Sequence, residues 1–111
     1  MESHADKVFK DKLQAIVAMH LSDANLNIDQ LAQTMNMGRT KFYGKVKELM
    51  GMSPNKYLQE ERMKRAAELL LEGELNVSEI CYKVGIQDSS YFNKCFKAKY
   101  GVVPSKYATR P

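Results

Sequence analysis

Asn27-Ile28-Asp29-Gln30-Leu31-Ala32 and Asn76-Val77-Ser78-Glu79-Ile80-Cys81 are one passage written twice. So are residues 42–57, ending Gly51-Met52-Ser53-Pro54-Asn55-Lys56-Tyr57, and residues 92–107, ending Gly101-Val102-Val103-Pro104-Ser105-Lys106-Tyr107. The offset is 49 from Ile28 to Val77 and 50 from Phe42 to Phe92, so one residue is gained between the two stretches, where a turn belongs. Each copy reads as two short helices around a tight turn. The second helix of each is basic and free of acid over much of its length.

With 111 residues in all, a unit near 50 residues can bury only a marginal core, so the two halves are expected to lean on each other. Lys plus Arg outnumber Asp plus Glu by 17 to 13, giving a net charge of +4 and an isoelectric point near 9.1. That favours an anionic partner without naming one; the distribution says more. No acid interrupts Arg39, Lys41, Lys45 and Lys47, and Lys94, Lys97 and Lys99 follow Asp88 in the same way. Acids gather instead at Glu60, Glu61, Glu68, Glu72 and Glu74.

Cys81 and Cys95 occupy apolar helical positions, where a free thiol behaves as a small hydrophobe. With His4 and His20 far off, no zinc spacing exists, and no metal or other cofactor is expected. No apolar run is long enough to span a bilayer and no signal-peptide pattern is present, so a soluble, cytoplasmic chain is expected. Residues 1–5 read as a start scar or a cut point.

Hydrophobic periodicity predicts the helices. Phe9, Leu13, Ile16, Val17, His20 and Leu21 form one buried stripe over residues 6–21. Asn27 caps the next helix with Gln30 in the capping-box position, and Asn36 ends it by tolerating the left-handed conformation. Phe42, Val46 and Leu49 line the third, stopped by Gly51. Ser53-Pro54 opens a helix running to Gly73, about 28 Å at 1.5 Å per residue, a rigid spar between the units. Asn76 with Glu79 repeats the capping box, Gly85 takes the role of Asn36, and Asp88 caps a helix lined by Phe92, Cys95 and Phe96. A short last helix opens at Pro104. The fold predicted is all-α, about seven helices, with units at 6–52 and 74–108 and the linker helix at 53–73.

In a helix-turn-helix the second helix keeps its inner side on its own core and offers its outer side to the major groove. The outward residues are then Arg39, Thr40, Tyr43, Gly44 and Lys47 in the first unit, and Ser89, Ser90, Asn93, Lys94 and Lys97 in the second. Arg and Lys pair with guanine acceptors, Asn with adenine, and hydroxyls with bases or phosphates. Lys41, Lys45, Lys47 and Lys97 are assigned to phosphate. Blander readings stand beside these. A charge run is usually a solvated face, and Tyr43 suits core closure about as well as a groove contact. Arg62, on a mostly apolar face, is expected to pair with Glu or a carbonyl rather than DNA. Met35, Met37, Met50, Met52 and Met63 fall at core positions or turns, and Tyr57 and Tyr107 are expected to pack with bonded hydroxyls. Ser89 and Ser90 have no base beside them, so no enzyme is expected.

The motifs Leu31-Ala32, Phe42, Lys47, Gly51-x-Ser53-Pro54-x-x-Tyr57-Leu58, Arg62-x-x-x-Ala66-x-x-Leu69-Leu70, Val77-Ser78-Glu79-Ile80, Val84-Gly85 and Ser89-Ser90-Tyr91-Phe92, with Phe96-Lys97, Gly101 and Pro104, cover most of the chain. In these it resembles the AraC/XylS-type bacterial transcription regulators, and most of all the output domains of hybrid two-component sensors in gut Bacteroidetes. The resemblance implies seven helices with two recognition helices in successive major-groove faces. It places base-reading positions on Thr40, Tyr43, Gly44, Ser89, Ser90, Asn93 and Lys94. Three residues depart from the family pattern. Gly38 stands for a capping Ser, Gly44 for a long polar residue, and Ile86 for the Phe that plugs the turn. Gly44 weakens the first unit as a base reader.

The expected function is sequence-specific binding of double-stranded promoter DNA as part of a transcription activator. RNA polymerase and a sensor or dimerisation domain elsewhere in a longer chain are the further partners, with membrane anchoring of the full-length protein if it is a hybrid sensor. No small-molecule site is expected in this segment. A helical protein-interaction module is the alternative, and RNA binding ranks lower because no aromatic stacking platform is evident.

Overall fold

A computed structural model describes residues 2–107, and they fold into helices with no strand among them. The order is α1 (His4–His20), α2 (Ile28–Thr34), α3 (Arg39–Met50), α4 (Pro54–Glu72), α5 (Val77–Lys83), α6 (Ser89–Tyr100) and α7 (Pro104–Tyr107). The boundary expected at residue 108 lies outside the described residues.

The repeat in sequence is a repeat in structure. Helix starts recur at 28 and 77, 39 and 89, and 54 and 104. Both capping boxes form: Asn27 Oδ1 accepts from the Gln30 amide at 2.9 Å while the Gln30 side chain accepts from the Asn27 amide at 3.1 Å. Asn76 and Glu79 do the same at 2.8 and 2.9 Å. The turns begin alike, with Asn36 at φ 57° and Gly85 at φ 82°, and with the Met37 amide donating to Ala32 and the Ile86 amide to Cys81. They part at the next residue. Four residues separate α2 from α3 and five separate α5 from α6, so the gained residue is Gln87, just before the cap of α6.

α4 is the common support. It runs nineteen residues between the Ser53 cap and Gly73 at φ 73°, and it packs against α1, α3, α5, α6 and α7. Tyr57, Leu58, Met63, Ala66, Ala67, Leu69 and Leu70 are buried along it, so more than one face of the helix is apolar. Burial of this kind stabilises by about 25 cal/mol per Å² of apolar surface. In the first unit Phe9 of α1 meets Phe42 of α3 with ring centroids 6.4 Å apart. In the second, Phe96, Tyr100 and Tyr107 cluster at 4.7–5.3 Å, tying the last helix to α6. Cys81 and Cys95 are buried and free.

Three expectations are corrected. α1 begins two residues early because the Ser3 hydroxyl accepts from the Asp6 amide at 3.1 Å, which caps the helix at residue 3. His20 is exposed: α1 ends there, and Leu21 takes the inward place. Tyr57 packs as expected, but its buried hydroxyl has no hydrogen-bond partner among the described residues. Burial, with the charge of Glu61 one turn on, raises its pKa and keeps it protonated.

Two substitutions test this packing. Ala66 is fully buried, so Ala66→Phe should overpack the α4 seam and lower stability by about 1–3 kcal/mol in a thermal melt. Gly44 lies inside α3, and a Cβ there meets nothing within 4 Å. Gly44→Ala should therefore raise stability by about 1 kcal/mol, measured by urea denaturation.

Candidate nucleic-acid interface

α3 and α6 turn their apolar sides inward. Phe42 and Val46 are fully buried, as are Phe92 and Phe96 with Cys95 nearly so. Helical spacing then puts the remaining side chains outside. Arg39, Thr40, Lys41, Tyr43, Gly44 and Lys47 are exposed on α3, and Ser89, Ser90, Asn93, Lys94 and Lys97 on α6. Tyr43 is 43% exposed, which removes it from the core proper and leaves its ring available at the surface.

The basic residues divide into two sorts. Among the described residues Lys41, Lys47, Lys94 and Lys97 have no ion-pair partner, and Arg39 has only a long, exposed contact with Asp29 at 3.5 Å. An exposed pair of that kind is worth little. Lys45 differs. Its Nζ lies 2.9 Å from Asp6 Oδ1 of α1, and the hydrogen bond lowers the Asp6 pKa and raises that of Lys45. Lys99 is likewise drawn back onto Glu60 of α4, which lowers the carboxylate's pKa and raises the ammonium's. Each recognition helix thus gives one lysine to its supporting helix and keeps the rest for solvent. Of the four phosphate candidates, the structure leaves Lys41, Lys47 and Lys97 open and holds Lys45 in a cross-helix bond.

The two helices also start differently. At α6 the Asp88 carboxylate accepts from the Ser90 and Tyr91 amides at 2.9 and 3.3 Å, which fixes the first turn carrying Ser89 and Ser90. At α3 the cap is Gly38, with no side-chain hydrogen bond. A glycine cap costs only a few tenths of a kcal/mol, but leaves the first amides of α3 without a protein side-chain acceptor. Ile86, in place of an aromatic plug, is 8% exposed and fills the second turn.

Arg62 is structural, and it binds carbonyls rather than Glu: Nε donates to Leu21 O at 3.1 Å and Nη2 to Asp23 O at 2.9 Å. The withdrawal of Lys45 and Lys99 escaped sequence reasoning, since each partner lies 39 residues away with no local pattern to signal it. No group of three or more metal-ligating side chains occurs among the described residues, and none of their helices is long and apolar enough to cross a membrane.

Residues 31–110 match the family described as a helix-turn-helix domain. The chain is 34% identical over 108 residues to the histidine kinase P4 of Formosa agariphila, a match covering 97% of this chain and 8% of that protein. It therefore spans a small fraction of that kinase's length. The C-terminal domain of AraT, a response regulator from Geobacillus stearothermophilus, is 33% identical with a TM-score of 0.82, covering 90% of this chain and 84% of that one. The DNA-binding domain of AdpA, a global transcriptional factor, in complex with a target DNA has the same fold at 23% identity and a TM-score of 0.81, covering 88% of this chain and 87% of its own. Paired turns, paired basic faces and these matches lead to one conclusion: the chain belongs to the AraC/XylS-type helix-turn-helix family and is a sequence-specific double-stranded-DNA-binding domain of a bacterial transcription regulator.

Proposed function

We propose that α3 and α6 enter successive major-groove segments of one duplex, with residues 6–52 and 74–108 acting as two units on the linker at 53–73. Thr40, Tyr43, Gly44 and Arg39 face bases from the first unit, and Ser89, Ser90, Asn93 and Lys94 from the second. Lys41, Lys47 and Lys97 bind phosphate; Lys45 does so only by leaving Asp6. The observation carrying this reading is that two equivalent helices, each twelve residues long, expose polar and basic outer faces that are free of acid from Arg39 to Lys47 and from Ser89 to Lys99. The long dimension of the molecule, 41 Å, is enough to span one DNA turn of about 34 Å. That the AdpA domain, which shares this fold, is bound to a target DNA supports DNA as the ligand.

The second unit is the stronger reader in this scheme, because Asp88 orders its first turn while Gly44 removes a side chain from the first unit's outer face. The role is one of binding rather than catalysis. The likeness to a histidine kinase and to a response-regulator domain supports a two-component output domain. We take it to work in the cytoplasm as an activator. Its further partners are then RNA polymerase and a sensor or dimerisation domain in the longer chain.

Salt titration of binding tests the electrostatics. Lys41, Lys47 and Lys97 neutralise about three phosphates, so log K should fall with log salt at a slope of roughly −3, at about 0.9 per phosphate, and steeper if Lys45 leaves Asp6. A slope near zero sinks the reading. Lys47→Ala and Lys97→Ala should weaken specific and random duplexes alike in mobility-shift titrations. Asn93→Ala and Lys94→Ala should instead relax preference at one or two base pairs, costing about 1–3 kcal/mol on the best site. Equal loss on every sequence would reassign those two residues to phosphate. Thr40 and Tyr43 should give smaller changes than Asn93.

A further inference from the structure

The two turns share a left-handed residue, yet only one of them is closed to a side chain. Asn36 takes φ 57° with its side chain exposed. At Gly85, φ 82°, a Cβ would lie 2.2 Å from Leu21 O and 3.0 Å from Arg62 Nη2. What differs is the surroundings: the turn of the second unit is pressed onto the end of α1 in the first. Ser22, Asp23, Ala24 and Asn25 share a cleft with Gly85 and Gln87.

Arg62 sits at this junction. From α4 it reaches the Leu21 and Asp23 carbonyls, 41 and 39 residues away, and it lines a groove of about 340 Å³ with Ile86 and with Tyr91 of α6. Leu21 caps α1, so its carbonyl belongs to the negative end of the helix and suits a cation. A planar guanidinium holding two acceptors fixes direction as well as distance, which the apolar packing along α4 does not.

We propose that Arg62, seated against Gly85, is the positioning residue that sets the angle between α3 and α6, and with it the half-site spacing this chain accepts on DNA. The spar holds the units together; the Arg62 junction holds them in register. The spacing part of the claim rests on both recognition helices engaging one duplex, so the test has an arm without DNA.

Spin labels are attached at Glu48→Cys and Ala98→Cys, exposed and equivalent positions on α3 and α6, with Cys81 and Cys95 buried. The parent should give one narrow distance, and Arg62→Met, which keeps the stem and removes the donors, should broaden it. Arg62→Lys keeps the charge without the planar fork and should give an intermediate width, guarding against a variant that fails to fold. An unchanged distribution in both variants overturns the proposal. In the second arm a duplex of roughly 30 base pairs, about three helical turns, is selected from a random pool by the parent chain, then altered by scrambling either half or inserting two base pairs at its centre. Arg62→Met should bind the intact duplex about tenfold more weakly, bind each half-scrambled duplex within about twofold of the parent, and lose most of the penalty for insertion. Equal losses on intact and half-scrambled duplexes, or an undiminished insertion penalty, overturn the proposal. A parent that binds half-scrambled DNA as well as intact DNA overturns the two-reader function and the spacing claim with it, while the label distances still decide whether Arg62 sets the angle.

Discussion

Everything in this molecule depends on the burial of α4 by both units at once. A segment of about 50 residues has too much surface for its volume to stand alone, and the loop closures and helix starts it needs cost conformational entropy that a small core barely offsets. Sharing one apolar helix resolves this. Met63, Ala66 and Leu70 sit in a core continuous with Leu13, Phe42, Ile80 and Phe96, so neither helix-turn-helix has to provide a complete interior. The price is that the units cannot be independent in stability: loss of α4 packing on one side exposes apolar surface belonging to the other.

Much of this was legible in the sequence, and for local reasons. Capping boxes, glycine stops and the left-handed Asn36 act over three or four residues, so Asn27 with Gln30 and Asn76 with Glu79 announce their helices directly. The inward stripe of α6 was equally plain, because Phe92, Cys95 and Phe96 obey helical spacing. The duplication strengthened each inference by supplying it twice. His20 failed for a boundary reason: periodicity carried the stripe one residue beyond the point where the backbone turns away.

What the sequence did not signal about the surface has a different origin. A run of lysines looks uniform in sequence, but its electrostatics are decided by carboxylates on other helices. Asp6 and Glu60 each remove one cation from a recognition helix, and no local rule connects residues 39 apart. Arg62 was recognisable as structural from its apolar neighbours, yet its acceptors are backbone carbonyls, and backbone carries no signature in the side-chain pattern. Gly85 shows the same limit. Its positive φ is readable from the repeat, while the carbonyl pressed against it is not.

The single added residue Gln87 makes the two copies unequal in a way their likeness conceals. It precedes Asp88, whose carboxylate holds the α6 amides already aligned, whereas α3 starts from a bare glycine and contains a second glycine one turn in. Both helices are formed, but the first turn of α3 has no side-chain cap and Gly44 gives its backbone more freedom, so α3 frays more readily than α6. The duplicated halves are therefore an asymmetric instrument. One start is held by its own side chain, and the other is not.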